Sequence, residues 1–222
     1  MRLHFTGKAQ VSGDIWSFSF QPEDGFTWIA GQSLRVEIAG PYGPLEHRFS
    51  ISSPPSSGLV TITTRLSDSD YKESLANIRP GDTAQGYGLE GDFIWRNTTQ
   101  PHIFVAAGIG VTPLRAMLAE RILQQQPLAA TLLYATREQP VPFSNDLASW
   151  QTADPQFDVH IFTDTRITTT DILALPACRE RLIYVSGPSK MVDAFSTDLL
   201  AAGIPPAHIL RDQFTGRLPL DG

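Results

Sequence analysis

Short runs in which apolar and polar residues alternate fill the chain from residue 2 to about residue 95. The runs are RLHFTGKAQV, IWSFSFQP, SLRVEIAG, HRFSISS, LVTITTRL and DTAQGYGL, each ending near Gly, Pro, Asp or Asn. Alternation with a period of two is typical of half-buried β-strands, and these end residues favour turns. The close spacing predicts an antiparallel barrel or sandwich. One segment, SDSDYKESLANIRPGD, instead predicts a helix with Ser69 or Asp70 as its N-cap and Pro80-Gly81 as its end.

After WRNTTQPH the hydrophobic pattern changes. The apolar runs HIFVAA, TLLYAT, FDVHIFT, RLIYVSG and AHILRDQF alternate with the helix-like segments TPLRAMLAERILQQQ, FSNDLASWQ and PSKMVDAFSTDLLAAG. Continuous apolar strands separated by helices are typical of a parallel sheet covered on both faces. The pattern therefore predicts a second, α/β domain. The change near residues 96–101 gives predicted domains at residues 1–98 and 99–222.

The charge of the chain and the length of its apolar runs disfavour two classes of function, nucleic-acid binding and membrane insertion. The chain has 222 residues and a formal net charge of −6, with no run of basic residues. Nucleic-acid binding depends on clustered Lys and Arg, so nucleic acid is not an expected partner. The apolar runs are far shorter than the roughly 20 residues of a membrane helix, and the N-terminal MRLHFTGKAQ lacks the apolar core of a signal peptide. We therefore expect no membrane insertion and a cytoplasmic location.

Cys178 is the single cysteine of the chain. One thiol can form neither an internal disulfide nor an iron–sulfur cluster, which takes several Cys ligands. The histidines His4, His47, His102, His160 and His208 show no spacing typical of metal ligands. The sequence therefore predicts no metal site, and it disfavours an electron-transfer subunit with a cluster of its own.

Two glycine-bearing turns follow apolar strands in the second half. VAAGIGVTPLRAML places Gly108 and Gly110 between a strand and a helix, and YVSGPSKMVDAF places Gly187 and Pro188 in the same way. Glycines there let phosphates approach the backbone, and the helix N-terminus attracts an anion. Tight turns without a ligand are the alternative. Because both turns follow strands of one parallel sheet, we expect them to face a common crevice.

In the first half, HRFSISSPP stands out as a strand with an arginine, an aromatic residue and three serines. Alternation predicts that Arg48, Ser50 and Ser52 lie on one face, with Phe49 and Ile51 on the other. An edge strand with a solvated arginine and a core phenylalanine is the alternative interpretation.

Four motifs, in this order, resemble those of the ferredoxin–NADP reductase superfamily. RFSISS is similar to its Arg-x-Tyr-Ser-x-x-Ser flavin motif, and PGDTAQGYGLEGDF to its Pro-Gly-Asp … Gly-Pro-x-Gly-x-Phe segment. AAGIGVTP is similar to its Gly-Gly-Ile-Gly-x-Thr-Pro turn, and VSGPSKMV to its Cys-Gly-Pro-x-x-Met turn. The resemblance covers essentially the whole chain. It implies a six-stranded antiparallel Greek-key FAD-binding barrel followed by a parallel-sheet, Rossmann-like NAD(P)-binding domain, as a stand-alone member without an iron–sulfur or haem domain.

The resemblance also implies roles for individual residues. Arg48 would clamp the flavin phosphate, Phe49 would lie against the isoalloxazine ring, and Ser50 would hydrogen-bond near the reactive N5. The implied catalytic residues are Ser50, Thr112, Ser186 and Asp212, with Asp212 as a proton relay. The implied cofactor-binding residues are Arg48, Phe49, Ser50, Ile51, Ser52, Ser53, Ile62, Thr63, Thr64, Arg65, Tyr71, Lys72, Gly110, Val111, Thr112, Thr136, Arg137, Gly187, Pro188, Met191 and Phe214.

The chain departs from the family pattern at several of these positions. Phe49 replaces the usual tyrosine, Leu89 replaces a proline, and Lys72 stands where many relatives have a serine. The charge of Lys72 could assist phosphate binding. Ser186 replaces the cysteine that many relatives carry beside the nicotinamide, so we expect hydride transfer that is slower or differently tuned.

The C-terminal RDQFTGR resembles the family's ending, with Asp212 and Phe214 matching and Arg217 in place of a closing tyrosine. Either Phe214 caps the flavin, or the five residues LPLDG that follow Arg217 place something else there.

The choice of nicotinamide nucleotide depends on LLYATREQPVPF. Thr136 and Arg137 could meet the adenosine ribose, and a cation there suits the 2′-phosphate of NADPH. A solvated arginine in a loop is the alternative. We expect NADPH as the preferred donor, with NADH left open.

The sequence thus predicts a FAD-dependent NAD(P)H oxidoreductase, with FMN as the less favoured flavin. A hydride would pass from NAD(P)H to the flavin, and electrons would then leave singly to a separate one-electron acceptor protein: a ferredoxin, a flavodoxin or a haem protein. The competing prediction is a non-catalytic flavin- or nucleotide-binding module that senses redox state or docks on a partner.

Overall fold

The alternating segments of the first half form one antiparallel sheet. The computed structural model describes residues 1–214, the last of them by its backbone alone. The strands are β1 (Arg2–Ser12), β2 (Ile15–Pro22), β3 (Ser33–Gly40), β4 (Gly43–Ser50), β5 (Val60–Arg65) and β6 (Thr83–Glu90). Their spatial order is β4-β3-β6-β1-β2-β5, and the chain bridges the two outer strands where Ile51 pairs with Ile62. The sheet therefore curls into the predicted six-stranded barrel.

Apolar side chains from the inner face of the sheet fill this barrel, as alternation requires. Members without exposed surface include Leu3, Phe18, Phe20, Leu34, Ile51 and Ile62. Helix α1 (Asp70–Asn77) packs against β3 and β4. It begins at the predicted cap, Ser69, whose side chain accepts a hydrogen bond from the backbone N–H of Lys72. It ends before the predicted Pro80-Gly81, because the backbone of Ile78, with ψ of 140°, has already left helical geometry.

The continuous apolar runs of the second half form a parallel sheet. The strands are β7 (His102–Ala107), β8 (Ala130–Ala135), β9 (Phe157–Phe162), β10 (Ile183–Pro188) and β11 (Ile209–Phe214), in the order β11-β10-β7-β8-β9. The helices are α2 (Val111–Leu123), α3 (Ser144–Ala153), α4 (Thr169–Leu173) and α5 (Ser189–Ala201). Side chains of α2 and α3 cover one face of the sheet, and those of α4 and α5 cover the other. This confirms the predicted α/β part of the fold.

Helix α4 was absent from the sequence-based prediction because its single turn shows no hydrophobic periodicity. A capping box starts it: the Thr168 side chain accepts from the Asp171 N–H, and the Asp171 side chain accepts from the Thr168 N–H. A threonine followed three residues later by an acid is the sequence signal for such a start.

Polar contacts join the barrel to the parallel sheet and its helices. The Arg115 guanidinium on α2 donates to the Ser52 carbonyl oxygen at 2.8 Å. Glu120, five residues further along α2, accepts from the Ser56 N–H at 2.9 Å. Arg65 at the end of β5 pairs with Glu138 at 2.5 Å. These links hold the segment between β4 and β5, and the end of β5, against α2 and the loop after β8.

The connection between the two sheets is held by one tyrosine of β10. The Tyr184 hydroxyl donates to the Ile94 carbonyl oxygen at 3.0 Å and accepts from the Arg96 N–H at 2.9 Å. Between these residues, the Trp95 ring lies edge-on to Phe104, with ring centres 5.5 Å apart. The predicted boundary between residues 98 and 99 falls in this connection and stays a prediction.

None of the helices in residues 1–214 combines the length and apolar character of a membrane span, and no group of His, Cys, Asp or Glu side chains in this range could hold a metal ion.

Candidate active site

A first cleft of about 790 Å³ lies between the barrel and the parallel sheet. The predicted site residues that line it are Arg48, Phe49, Ser50, Thr63, Thr64, Arg65, Lys72, Thr112 and Asp212. Residues that the sequence did not single out also line it: Ser33, His47, Ile109, Asp193, Arg211 and Gln213. Strands β4, β5 and β11 and helix α1 thus contribute to one cleft, although they are far apart in sequence.

Strand β4 presents His47 and Phe49 together, because residues two apart in a strand share a face. Their rings stack with centres 4.7 Å apart and an angle of 27° between planes. Arg48 also lines this cleft, but its guanidinium contacts protein groups: its Nη1 pairs with Glu90 at 2.5 Å and its Nε donates to Ser33 Oγ at 2.9 Å. The family motif has one residue between its arginine and its aromatic. Here Arg48 directly precedes Phe49, so His47 takes the position of the motif's arginine.

Lys72 places a buried ammonium group at the cleft. Its side chain, 8% exposed, extends from α1 with Nζ 2.5 Å from Thr64 Oγ1 and 4.5 Å from the centre of the Phe49 ring. Burial lowers the pKa of Lys72 to about 7. Burial and the charge of Lys72 also lower the pKa of His47. This part of the cleft therefore has one buried cation beside two aromatic rings.

A carboxylate and two hydroxyls form a second polar cluster. Parallel pairing of β10 with β11 places Ser186 opposite Asp212. Asp212 Oδ2 accepts from Ser50 Oγ at 3.2 Å and from Ser186 Oγ at 3.4 Å. Burial raises the pKa of Asp212, and the two hydroxyls and the Arg48 charge oppose that rise. Three of the four predicted catalytic residues thus lie in one cluster.

Thr112, the fourth predicted catalytic residue, is buried in the wall of the first cleft. Its hydroxyl donates to the Ile109 carbonyl oxygen at 2.9 Å, inside the turn that precedes α2. This bond stabilises the turn.

A second cleft, of about 950 Å³, lies at the carboxyl ends of the parallel strands. The predicted residues Arg65, Thr136, Arg137, Pro188 and Met191 line it. The exposed cations Arg166 and Lys190 and the acids Glu138, Asp164 and Asp198 also line it. Arg166 could have been found from sequence, because it follows β9 and ligands of open parallel sheets bind beyond the strands' carboxyl ends.

The turn before α2 contacts the end of β10 at Gly110 and Gly187, and this contact is called the wall between the clefts. A Cβ on Gly110 would lie 2.6 Å from the Ser186 carbonyl carbon, so glycine is needed for the two turns to touch. Gly187 has φ of +156°, and a Cβ there would lie 2.8 Å from the Met191 methyl. Gly108 differs: its φ is +53°, but a Cβ there would meet nothing within 4 Å. Of these three glycines, only Gly108 lines a cleft.

Other predicted cofactor-binding residues lie inside the protein. Ile51, Ile62 and Val111 belong to the apolar cores, and Tyr71 is 6% exposed with its hydroxyl donating to the Val36 carbonyl oxygen. The Ser52 and Ser53 hydroxyls donate to the carbonyl oxygens of Thr61 and Leu59. The structure thus places these side chains in packing and internal hydrogen bonds, away from both cleft linings.

Phe214 ends β11, where its backbone lies opposite Pro188. The predicted roles of its side chain, of Arg217 and of the LPLDG tail lie outside the described residues.

The first cleft fits a flavin nucleotide. Its volume lies in the range of about 300–1,000 Å³ typical of cofactor sites. It offers an aromatic ring at Phe49, hydroxyl groups at Thr63 and Thr64, and the buried ammonium of Lys72, which has no carboxylate within 4.0 Å among residues 1–214. The aromatic ring suits the flat heterocycle of a flavin, the hydroxyl groups suit its polar ring edge, and the ammonium group suits its phosphate.

No protein-family model matches this chain. Flavohemoprotein A from Dictyostelium discoideum is 25% identical over 231 residues, which cover 93% of this chain and 58% of that protein. Ferredoxin–NADP reductase B from Sorangium cellulosum is 31% identical over 143 residues, which cover 62% of this chain and 59% of that protein. The chain spans about three fifths of the length of these curated relatives.

Among solved structures, the flavohem-like FAD/NAD-binding domain of a nitric oxide dioxygenase from Vibrio cholerae has a TM-score of 0.83 at 22% identity. The match covers 96% of this chain and 98% of that domain, and at this identity it establishes the fold. By sequence and by fold, the chain is therefore similar to ferredoxin–NADP reductase-like FAD/NAD-binding domains, which confirms the resemblance read from its motifs and the predicted fold class.

Proposed function

We propose that the chain is a flavin-dependent NAD(P)H reductase, with FAD in the first cleft and the nicotinamide nucleotide in the second. The observation that carries the proposal is the junction of the two clefts. Arg65 lines both of them, and consecutive residues of one turn, Gly108 and Ile109, line the second and the first. Two ligands bound there would be neighbours, as hydride transfer requires.

The first cleft would hold the flavin through the residues of β4, β5 and α1. Phe49 gives it an apolar aromatic wall, and Ser50, Thr63 and Thr64 give hydroxyl groups. When bound, the flavin supplies the two-electron and one-electron chemistry that the side chains lack. FMN is the alternative, because the groups found in this cleft do not specify an adenosine.

Asp212 would handle the proton of the reaction. Its raised pKa lets a larger fraction of this carboxyl keep its proton near neutral pH than an exposed aspartate would. Ser50 and Asp212 both line the first cleft and are hydrogen-bonded to each other. A proton can therefore pass between Asp212 Oδ2 and the cleft through the Ser50 hydroxyl.

The second cleft would bind the nucleotide beyond the strands' carboxyl ends. Three exposed cations, Arg137, Arg166 and Lys190, face it and suit an anion with several phosphates. We propose NADPH as the preferred donor, because Arg137 directly follows Thr136 at the end of β8, where the adenosine ribose would lie. NADH lacks the 2′-phosphate that such a cation would bind.

Electrons would then leave singly to a separate acceptor protein: a ferredoxin, a flavodoxin or a haem protein. The names of two relatives support this class, since one is a ferredoxin–NADP reductase and the other a flavohemoprotein. Anaerobic mixing of the reduced protein with one member of each acceptor class, followed by absorbance, would rank them. No electron transfer to any of the three would contradict this part of the proposal.

The central test is an anaerobic titration of the FAD-loaded protein with NADPH and, separately, with NADH. We expect both donors to bleach the oxidised-flavin absorbance, with NADPH acting at lower concentration. FAD binding without bleaching by either donor would contradict the reductase and favour the non-catalytic binding module. Failure to bind FAD would contradict the whole proposal.

A further inference from the structure

Lys72 is an unusual lysine in this protein. Of the three lysines, Lys8 and Lys190 are exposed, whereas Lys72 is 8% exposed. Burying an ammonium group is costly unless an anion compensates its charge. Within the described residues, Lys72 finds a hydroxyl and two aromatic rings but no carboxylate. Its charge therefore remains available to an anion that enters the first cleft.

The acidic groups of the first cleft are engaged elsewhere. Asp193 accepts from the Gln213 side chain at 2.6 Å, and Asp212 accepts from Ser50 and Ser186. Neither one pairs with Lys72. The cleft thus separates its charges, with carboxylates on the β11 side and an uncompensated cation on the α1 side.

Arg48, which the motif predicts to bind the flavin phosphate, already contacts other side chains of the protein. Its guanidinium pairs with Glu90 and with Ser33, and the side chain is 45% exposed. A phosphate would have to displace Glu90 or share the guanidinium with it. His47, at the position of the motif's arginine, has a lowered pKa and so contributes little positive charge at neutral pH.

We propose that Lys72 of α1 is the cation that binds the flavin phosphate, and that it takes over the role expected of an arginine on β4. The inference rests on the proposed flavin-binding function. It predicts that the phosphate lies beside α1, next to the stacked His47 and Phe49 rings, with the ring edge of the flavin directed toward Asp212.

Flavin affinities of matched variants test this assignment. Lys72→Met removes the buried charge, Arg48→Met removes the competing cation, and Lys8→Met removes the same charge from the surface of β1. Each variant would be titrated with riboflavin, FMN and FAD and followed by flavin fluorescence. Riboflavin has the same ring without phosphate, so it separates phosphate contacts from ring contacts.

We expect Lys72→Met to weaken FMN and FAD about 10- to 100-fold, the value of one charge-assisted contact, and to leave riboflavin nearly unchanged. Lys72→Arg should keep most of the FMN affinity. Arg48→Met and Lys8→Met should each change FMN affinity less than about 3-fold, as expected for exposed charges. Melting temperatures of the flavin-free variants check that each is folded.

Two results would overturn the assignment while leaving the flavin-binding function intact. One is a larger loss of FMN affinity in Arg48→Met than in Lys72→Met. The other is an equal loss of riboflavin and FMN affinity in Lys72→Met, which would place Lys72 against the ring. A wild-type protein that binds none of the three flavins would instead overturn the proposed function, and the assignment with it.

Discussion

The two clefts have similar volumes and share Arg65, but they keep their charges in different environments. In the first cleft Lys72 is buried and the pKa of Asp212 is raised by burial. In the second cleft Arg137, Arg166 and Lys190 are exposed to solvent. Buried charges interact strongly and cost free energy when uncompensated, whereas exposed charges are screened by salt. The first cleft is thus suited to a tightly bound ligand, and the second to a ligand that exchanges rapidly with solvent.

The wall between the clefts is the place where one substitution should damage both. Gly110→Ala would drive a Cβ into the Ser186 carbonyl group, and we expect it to lower stability by about 3 kcal/mol or more. At this chain length that corresponds to a melting temperature lower by about 6–12 °C. Gly108→Ala is the matched control: its positive φ costs about 1–2 kcal/mol, but the added methyl meets open space. Equal losses in the two variants would show that the wall is not tightly packed.

The buried carboxyl of the first cleft should show opposite effects on rate and stability. Asp212→Asn keeps the shape but removes the titratable carboxyl group, so we expect flavin reduction by NADPH to slow about 100-fold, a typical value for a lost acid–base group. Because the folded-state pKa of Asp212 is raised, its ionisation costs stability as pH rises through that pKa. The Asn variant should therefore melt higher than wild type at neutral pH, and the difference should vanish at acid pH, where Asp212 is protonated in both states. Stopped-flow absorbance and thermal melts measure the two effects, and an unchanged reduction rate would exclude Asp212 from the proton path.

An exposed cation of the second cleft should matter less. Arg137→Ala is expected to weaken NADPH binding about 10-fold and NADH binding by less than about 2-fold, because only NADPH has the 2′-phosphate. The NADPH effect should shrink as salt is added. Lys8→Ala, at an exposed residue that does not line the second cleft, is the control for a simple change in net charge. An equal loss for both nucleotides would remove Arg137 from the 2′-phosphate site.

The pH dependence of the flavin-free protein tests the burial of Lys72. The pKa of Lys72 is about 7 in the folded protein, below its ordinary value of 10.5, so the unfolded chain binds more protons between these two values. Stability should therefore rise with pH across that window, by up to about 1.4 kcal/mol for each unit of pKa shift. Lys72→Met should lack this rise. Parallel slopes for the variant and the wild type in urea titrations would contradict a lowered pKa for the buried Lys72.

Local patterns predicted the elements well, because strand alternation, continuous apolar runs and helix caps are properties of neighbouring residues. Ser69 caps α1 as expected, and α5 begins at Ser189. Motif order also predicted that residues of β4, α1 and β11 share a cleft. The first cleft does collect Ser50, Lys72 and Asp212.

The sequence could not predict which residues of each motif face the cleft and which bond to other protein groups, because this depends on partners far away in sequence. The sequence suggested that Ser53 and Arg48 could bind a cofactor. In the structure the Ser53 hydroxyl is hydrogen-bonded to Leu59 and Thr61, and the Arg48 guanidinium contacts Glu90 and Ser33. Asp193 and Arg211 line the first cleft only because α5 and β11 approach it, which no local signal reveals. The position of His47 was readable from the motif's spacing.

The single hydroxyl of Tyr184 also has a consequence for how the chain can be cut. Tryptic cleavage after Arg96 would require the backbone there to leave its place and enter a protease, and that backbone is held by the hydrogen bonds of Tyr184 to Ile94 and Arg96. The rate of tryptic cleavage after Arg96 should therefore measure how often these two hydrogen bonds open. Tyr184→Phe should increase that rate, because it removes both hydrogen bonds while keeping the ring that packs against Phe93 and Phe104.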